Sequence, residues 1–392
     1  MKEYITVINE SGSIAVDDTI LVKDQPATAG SKILEGWKPL FSAEAVERLE
    51  KAGYVISGKS NVGEFGLDLL GETSASGACT AEDGTLRGAA AQLVADGKVR
   101  AALSVDLNGS PRRAAAVSGV DFIKPTYGTV SRYGIMACAC SAEQIGVTAK
   151  TAADAAEILS VIAGHDAKDG TSLPTEKYEY KCDIPVKGMK IAVIKELFDH
   201  ADGSKAAVSA YIEKLKAAGA EVEEISVPEL KAAQSAWQIL CAAETCNNVS
   251  RYDGVKYGYR TENYTNIDEL YVNTRTEGFG FLAKATVLYG SDVLSKGRYD
   301  HCYDKALRVR RVIRDRFTAI FSQYAAVVAP ACAAASYKPY DSLDSFDRVF
   351  AESEFTAPAS IIGLPAMVTQ GVQLIAESLH DSVLLSIAAA LE

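Results

Sequence analysis

Histidine is scarce: the 392-residue chain has four, His165, His200, His301 and His380, too far apart in sequence for their spacing to suggest a metal site. Its eight cysteines include no CxxC pair, and Cys138 with Cys140 has the wrong separation for a zinc knuckle. In a reducing compartment such thiols act as small buried hydrophobes, so no metal and no cofactor is expected. Nowhere do eighteen apolar residues run unbroken, and the opening MKEYITVINESGS lacks the apolar core of a signal peptide. These absences predict a cytoplasmic chain with no membrane association. A long basic run is missing too, and the net charge is -11, which disfavours direct DNA or RNA binding. The densest basic segment, Arg308, Arg310, Arg311, Arg314 and Arg316, has the spacing of a solvated helix face.

What is present is ordinary globular material, with 48% hydrophobic and 23% charged residues. Ser42 is placed to cap a helix over 43–52, with Ala45, Val46 and Leu49 at helical spacing and Gly53 as the stop, followed by a strand over 54–57. Thr151 and Asp154 resemble a capping box opening a helix over 152–163, with a strand over 190–194 to follow. A helix over 206–218 leads into a strand over 220–227. Val309, Val312, Ile313, Phe317, Ile320 and Phe321 mark one side of a long helix before the strand-like AAVVAP of 325–330. This alternation predicts an α/β fold. No repeat or low-complexity linker divides the chain, so one domain spanning 1–392 is expected. Residues 71–87 and 334–353, rich in small and polar side chains, read as functional loops.

Several blocks carry a family resemblance. IAVDDTILVKDQPATAGSKILEGW from Ile14, KPTYGTVSRYGIMA (124–137), AGHDAKDGTS (163–172) and FTAPASIIGLPA (355–366) occur in the order found in amidase-signature proteins. SRYDGVKYGYR (250–260), TRTEGFG (274–280) and LSKGRYDHCYDKALRVR (294–310) are similar to the tRNA-dependent amidotransferase A-subunit branch of that family. The resemblance implies a large twisted mixed β-sheet flanked by helices. It also implies a serine nucleophile whose proton passes through a second serine to a neutral lysine, because an unassisted hydroxyl is a weak nucleophile at neutral pH.

Residue by residue, the implied machinery is incomplete. The nucleophile's motif matches Asp106-Leu107-Asn108-Gly109-Ser110-Pro111-Arg112, with Ser110 retained and one of the paired glycines replaced by Asn108. The lysine position falls on Asp17, followed by Asp18; Lys23 would substitute only if the backbone rerouted. Counting back from Ser110 without gaps puts Leu86 at the relay serine, and leucine can neither accept nor pass a proton; Thr85 would serve only after a one-residue shift. On the substrate side the resemblance points to Asp106, Leu107, Asn108 and Gly109, and it places Thr286 and Ser353 where an arginine and an aspartate would hold glutamine. The resemblance also implies N-terminal helices and a hairpin-like insertion between Pro365 and Gly371, and the chain is expected to lack the helices and most of the insertion.

The expectation is therefore an amidotransferase A-subunit-like protein that is catalytically impaired or inactive and keeps a binding or scaffold role. Its expected partners are other amidotransferase subunits and a small amide or amino acid. The alternatives are an active glutamine-dependent subunit releasing ammonia, or a different hydrolase or ligand-binding protein using Ser110 with Asp17 or Asp106.

Overall fold

A computed structural model describes residues 2–392. Eleven strands join in a single sheet: β1 Tyr4–Val7, β2 Ile14–Asp17, β3 Ile56–Ser60, β4 Ala101–Asp106, β5 Asp121–Lys124, β6 Gln144–Ala149, β7 Lys190–Ile194, β8 Glu221–Ile225, β9 Ala326–Pro330, β10 Ala366–Thr369 and β11 Val372–Ile375. Their order across the sheet is β1-β3-β2-β4-β6-β5-β10-β11-β9-β7-β8. Most central strands are buried along their whole length, as helices on both faces require. The period-two alternation of side chains divides the core between those faces. On β2, Ala15 joins one cluster with Ala102 of β4, while Ile14 and Val16 join the other with Ala101 and Leu103.

Strand direction positions the site. β2 runs parallel to both β3 and β4, with Asp17 opposite Ser60 and Val16 opposite Leu103. The three C-terminal ends therefore gather Asp17, Ser60 and Asp106 at one edge of the sheet. Farther along, β10 and β11 are joined by the two residues Gln370 and Gly371, whose φ values of 48° and 80° suit the primed turns that match strand twist.

The Thr151 side chain accepts the Asp154 amide and opens the helix Ala152–Ile162, as its motif predicts. Strand β7 also falls where expected. Three readings need correction. Ser42 is not a cap: the helix is Glu44–Lys51 with Ala43 at the cap position, and Ser42 Oγ instead accepts the Lys23 amide at 3.0 Å. The following strand is Ile56–Ser60 rather than 54–57, extended by its pairing with β2. The region 334–353 is not all loop, because a helix runs Ser345–Ile362. Its inward face is built from Ser353, Thr356, Ser360 and alanines, a buried stripe that lacks the usual apolar signal.

Candidate functional site

β4 ends at Asp106, whose carboxylate accepts the Gly109 amide at 3.2 Å and Arg112 Nε at 2.8 Å. Between them the chain turns through Gly109, at φ 86° and ψ 11°, a left-handed conformation that glycine adopts without steric cost. A Cβ there would lie 2.3 Å from Thr356 Cγ2, so the Ser345–Ile362 helix also demands glycine. Arg112 is fully buried and bonds Gln373 Oε1 at 2.7 Å, Ser360 Oγ at 2.6 Å and the Thr356 carbonyl at 3.2 Å. These ties fix the start of the helix Ser110–Ser118 and set Ser110 at its first position. Ser110 Oγ itself makes no hydrogen bond to any described residue.

At the end of β2, Asp17 accepts Ser60 Oγ at 3.0 Å and the Val105 amide at 3.2 Å. Burial pushes its carboxyl up to about 7, although those hydrogen bonds and the charge of Lys59 pull the other way. Lys59 is fully buried, and its amine donates to Asp18 Oδ1 at 3.1 Å and the Asp18 carbonyl at 3.3 Å. Burial lowers the Lys59 pKa, with Asp18 and Asp17 opposing the shift. Lys23 is exposed. Neither amine makes a hydrogen bond to Ser110.

Asp17 and Ser110 line one cavity, together with Asn61, Gly88, Ser104 and Thr148. Its volume of about 30 Å³ holds roughly two waters, each needing about 10–15 Å³. Leu86 does not line it. That side chain is buried in the core, and its amide donates to the Tyr337 carbonyl at 2.7 Å. Thr85 Oγ1 donates to Asp83 Oδ1 at 2.6 Å and supplies no relay to Ser110.

The remaining candidate residues are spread more widely. Leu107 is part of the core. Asn108 donates through Nδ2 to the Leu67 carbonyl at 2.7 Å and lines, with Thr286 and Trp237, a separate void of about 10 Å³. Thr286 Oγ1 donates to the Leu282 carbonyl at 2.8 Å, and Ser353 Oγ to the Phe350 carbonyl at 2.7 Å. Both hydroxyls are thus spent on their own helices. The structure brings Ser110 and Asp17 to one cavity but leaves Leu86, Thr286 and Ser353 outside it.

Sequence reasoning missed Lys59, Arg113 and Glu352. Arg113 is fully buried beside Ser110, donates to the Asn108 carbonyl at 2.7 Å and lies 3.9 Å from Glu352. Glu352 in turn accepts Tyr337 Oη at 2.8 Å and the Ala333 amide at 3.2 Å. The chain thus supplies an internal guanidinium and carboxylate next to Ser353. The adjacency of Arg113 to Arg112 of the nucleophile's motif and of Glu352 to Ser353 were the available signals, but nothing local shows that these charges are buried together.

The Amidase family profile matches residues 13–385. The chain is 38% identical over 366 residues to the glutamyl-tRNA(Gln) amidotransferase A subunit of Halothermothrix orenii, covering 90% of this chain and 76% of that one. It is 40% identical over 365 residues to the protein of the same name from Agathobacter rectalis, covering 90% and 72%. The crystal structure of the glutamyl-tRNA(Gln) amidotransferase A subunit from Thermotoga maritima superposes with a TM-score of 0.82 at 29% identity, covering all of this chain and 87% of the other. Among the described residues no helix is long and apolar enough to cross a membrane. With Ser110 at its helix start, the mixed sheet behind it and a family match along nearly the whole length, the chain belongs to the amidase family and is strongly similar to the A subunit of glutamyl-tRNA(Gln) amidotransferase.

Proposed function

We propose that this chain is an amidase-fold protein of the amidotransferase A-subunit type that does not hydrolyse glutamine and acts by binding, as a scaffold or partner subunit. The observation that carries this reading is the isolation of Ser110: among the described residues its hydroxyl has no hydrogen-bonded acceptor, and the one titratable group sharing its cavity is Asp17. General-base assistance contributes roughly 10²–10⁴ in rate. Leu86, buried and facing elsewhere, gives no route from Ser110 to another base. With the Thr286 and Ser353 hydroxyls turned into their own helices, a glutamine ammonium and carboxylate would find no counter-charges at those positions.

Similarity to proteins that bear the A-subunit name supports a role beside other amidotransferase subunits. The same similarity favours a second reading, an active glutamine-dependent subunit. One experiment separates them. Purified chain, alone and coexpressed with the partner subunits of an intact amidotransferase, is assayed for ammonia release from glutamine beside Ser110→Ala. The proposal expects equal, background rates; release abolished by Ser110→Ala establishes the active subunit instead.

A further inference from the structure

Three buried groups at the ends of β2 and β3 have an uneven charge count. Asp17 is 4% exposed, while Asp18 and Lys59 are fully buried. Two carboxylates thus share one amine, and that amine is bonded to Asp18. The oxygens of Asp17 receive neutral donors alone, Ser60 and Val105 with the Ser104 hydroxyl beside them. Asp17 also lines the cavity of about 30 Å³, and among the described residues it is the one titratable group in that lining. Ser110, also on the lining, makes no side-chain hydrogen bond to any described residue, which leaves the lone pairs of its Oγ for a ligand.

We propose that this cavity is a binding site for one monovalent cation of about water size, ammonium or an alkali ion, held by the Asp17 carboxylate with Ser110 Oγ as a neutral ligand. The inference rests on the reading that Asp17 stands where the family has lysine: the exchange shortens the side chain and reverses its charge, leaving space and a missing positive charge together. A divalent ion fits poorly, because hard divalent cations gather several oxygens and here one carboxylate lines the cavity with Lys59 close behind. An anion fits less well again. The only charge on the lining is negative, and Pro111 removes one of the free amides that a helix start would offer.

The test uses the full chain in chloride salts of tetramethylammonium, sodium, potassium and ammonium at equal ionic strength, at pH 8, following the thermal midpoint. Chloride is common to all four, and tetramethylammonium is too large to enter. The expected result is a saturable rise of about 1–3 °C over tetramethylammonium for at least one small ion, with the arms identifying which. The rise disappears in Asp17→Asn, which removes the charge, and in Ala90→Val, which fills the cavity and spares the carboxylate. Equal midpoints in all four salts overturn the site, as does a rise that persists in either folded variant. An anomalous peak beside Asp17 in rubidium-soaked crystals supports the site without any substitution, and a soaked crystal without that peak counts against it. Failure here leaves the reading of Ser110 intact, since that stands on ammonia release from glutamine.

Discussion

Asp106 Oδ2 and Arg112 Nε meet at 2.8 Å beneath the serine loop, and neither side chain has any solvent exposure. The pair links the end of β4 to the helix bearing Ser110, while further bonds from Arg112 reach β11 through Gln373 and the Ser345–Ile362 helix through Ser360. Removing one partner leaves the other charge buried without compensation. Asp106→Asn is therefore expected to destabilise the fold by roughly 3–5 kcal/mol, measured by urea denaturation. Adding Arg112→Met should cost less than the sum of the two single changes, because the stranded cation is gone. Additive losses would mean that the pair is not coupled.

Two glycines separate backbone strain from crowding. Gly119 ends the Ser110–Ser118 helix at φ 68° with no atom near the place a Cβ would take, whereas at Gly109 the same atom would strike Thr356. Gly119→Ala should cost about 1–2 kcal/mol, the left-handed penalty alone. Gly109→Ala adds overpacking worth about 1–3 kcal/mol, and Gly109→Ala with Thr356→Ala should recover part of that excess. Equal midpoints for the two single variants would remove Thr356 as the cause.

Asp17 gives a stability difference whose sign is the reverse of an ordinary paired carboxylate. Its ordinary value is 3.8, and burial pushes the folded value up to about 7. Well below pH 3.8 both folded and unfolded chains hold the proton and the group is neutral towards stability. As pH rises towards 7 the unfolded chain ionises first, so the folded state loses ground, and above 7 the loss is constant. Asp17→Asn removes this dependence. The stability of Asp17→Asn minus that of the parent, measured in tetramethylammonium buffers, should climb between pH 4 and 7 by a few kcal/mol, on the order of 1.4 per pH unit of displacement, and then level off. A flat difference across that range would show that Asp17 is not held away from water.

Much of the fold was legible because it rests on local rules. Thr151 capping Asp154 and the apolar run of β7 each need only their own neighbours. The helix over 345–362 was not legible, since Ser353, Thr356 and Ser360 are buried by partners far away in sequence, among them Arg112 and Arg113. The candidate site divides in the same way. Ser110 and Asp17 could be placed by motif, and parallel strand ends bring them to one cavity. Lys59 could not, because the strand expected at 54–57 stops short of it and its partner Asp18 lies in a distant stretch of sequence. Nor does the position of Leu86 reveal that its backbone is tied to Tyr337, a contact between distant stretches of sequence that only the folded chain creates.

Rebuilding the proton route tests the proposed inactivity. Asp17→Lys returns an amine to the end of β2, where Asp18 is available to offset its repulsion with Lys59. Leu86→Ser returns a hydroxyl at a cost of about 2–5 kcal/mol for the vacated core volume. In the double variant, labelling of Ser110 by a small fluorophosphonate should rise by at least about 10²-fold, the lower bound for regained base assistance. Glutamine hydrolysis should nevertheless stay at the level of Ser110→Ala, because Thr286 and Ser353 carry no charge and bond inward to Leu282 and Phe350. Only with Thr286→Arg and Ser353→Asp added should ammonia release from glutamine emerge. If the double variant already hydrolyses glutamine, the defect lies in the proton route alone and the substrate side is intact; if labelling does not rise in a folded double variant, the backbone tie between Leu86 and Tyr337 holds the loop where its hydroxyl cannot reach Ser110.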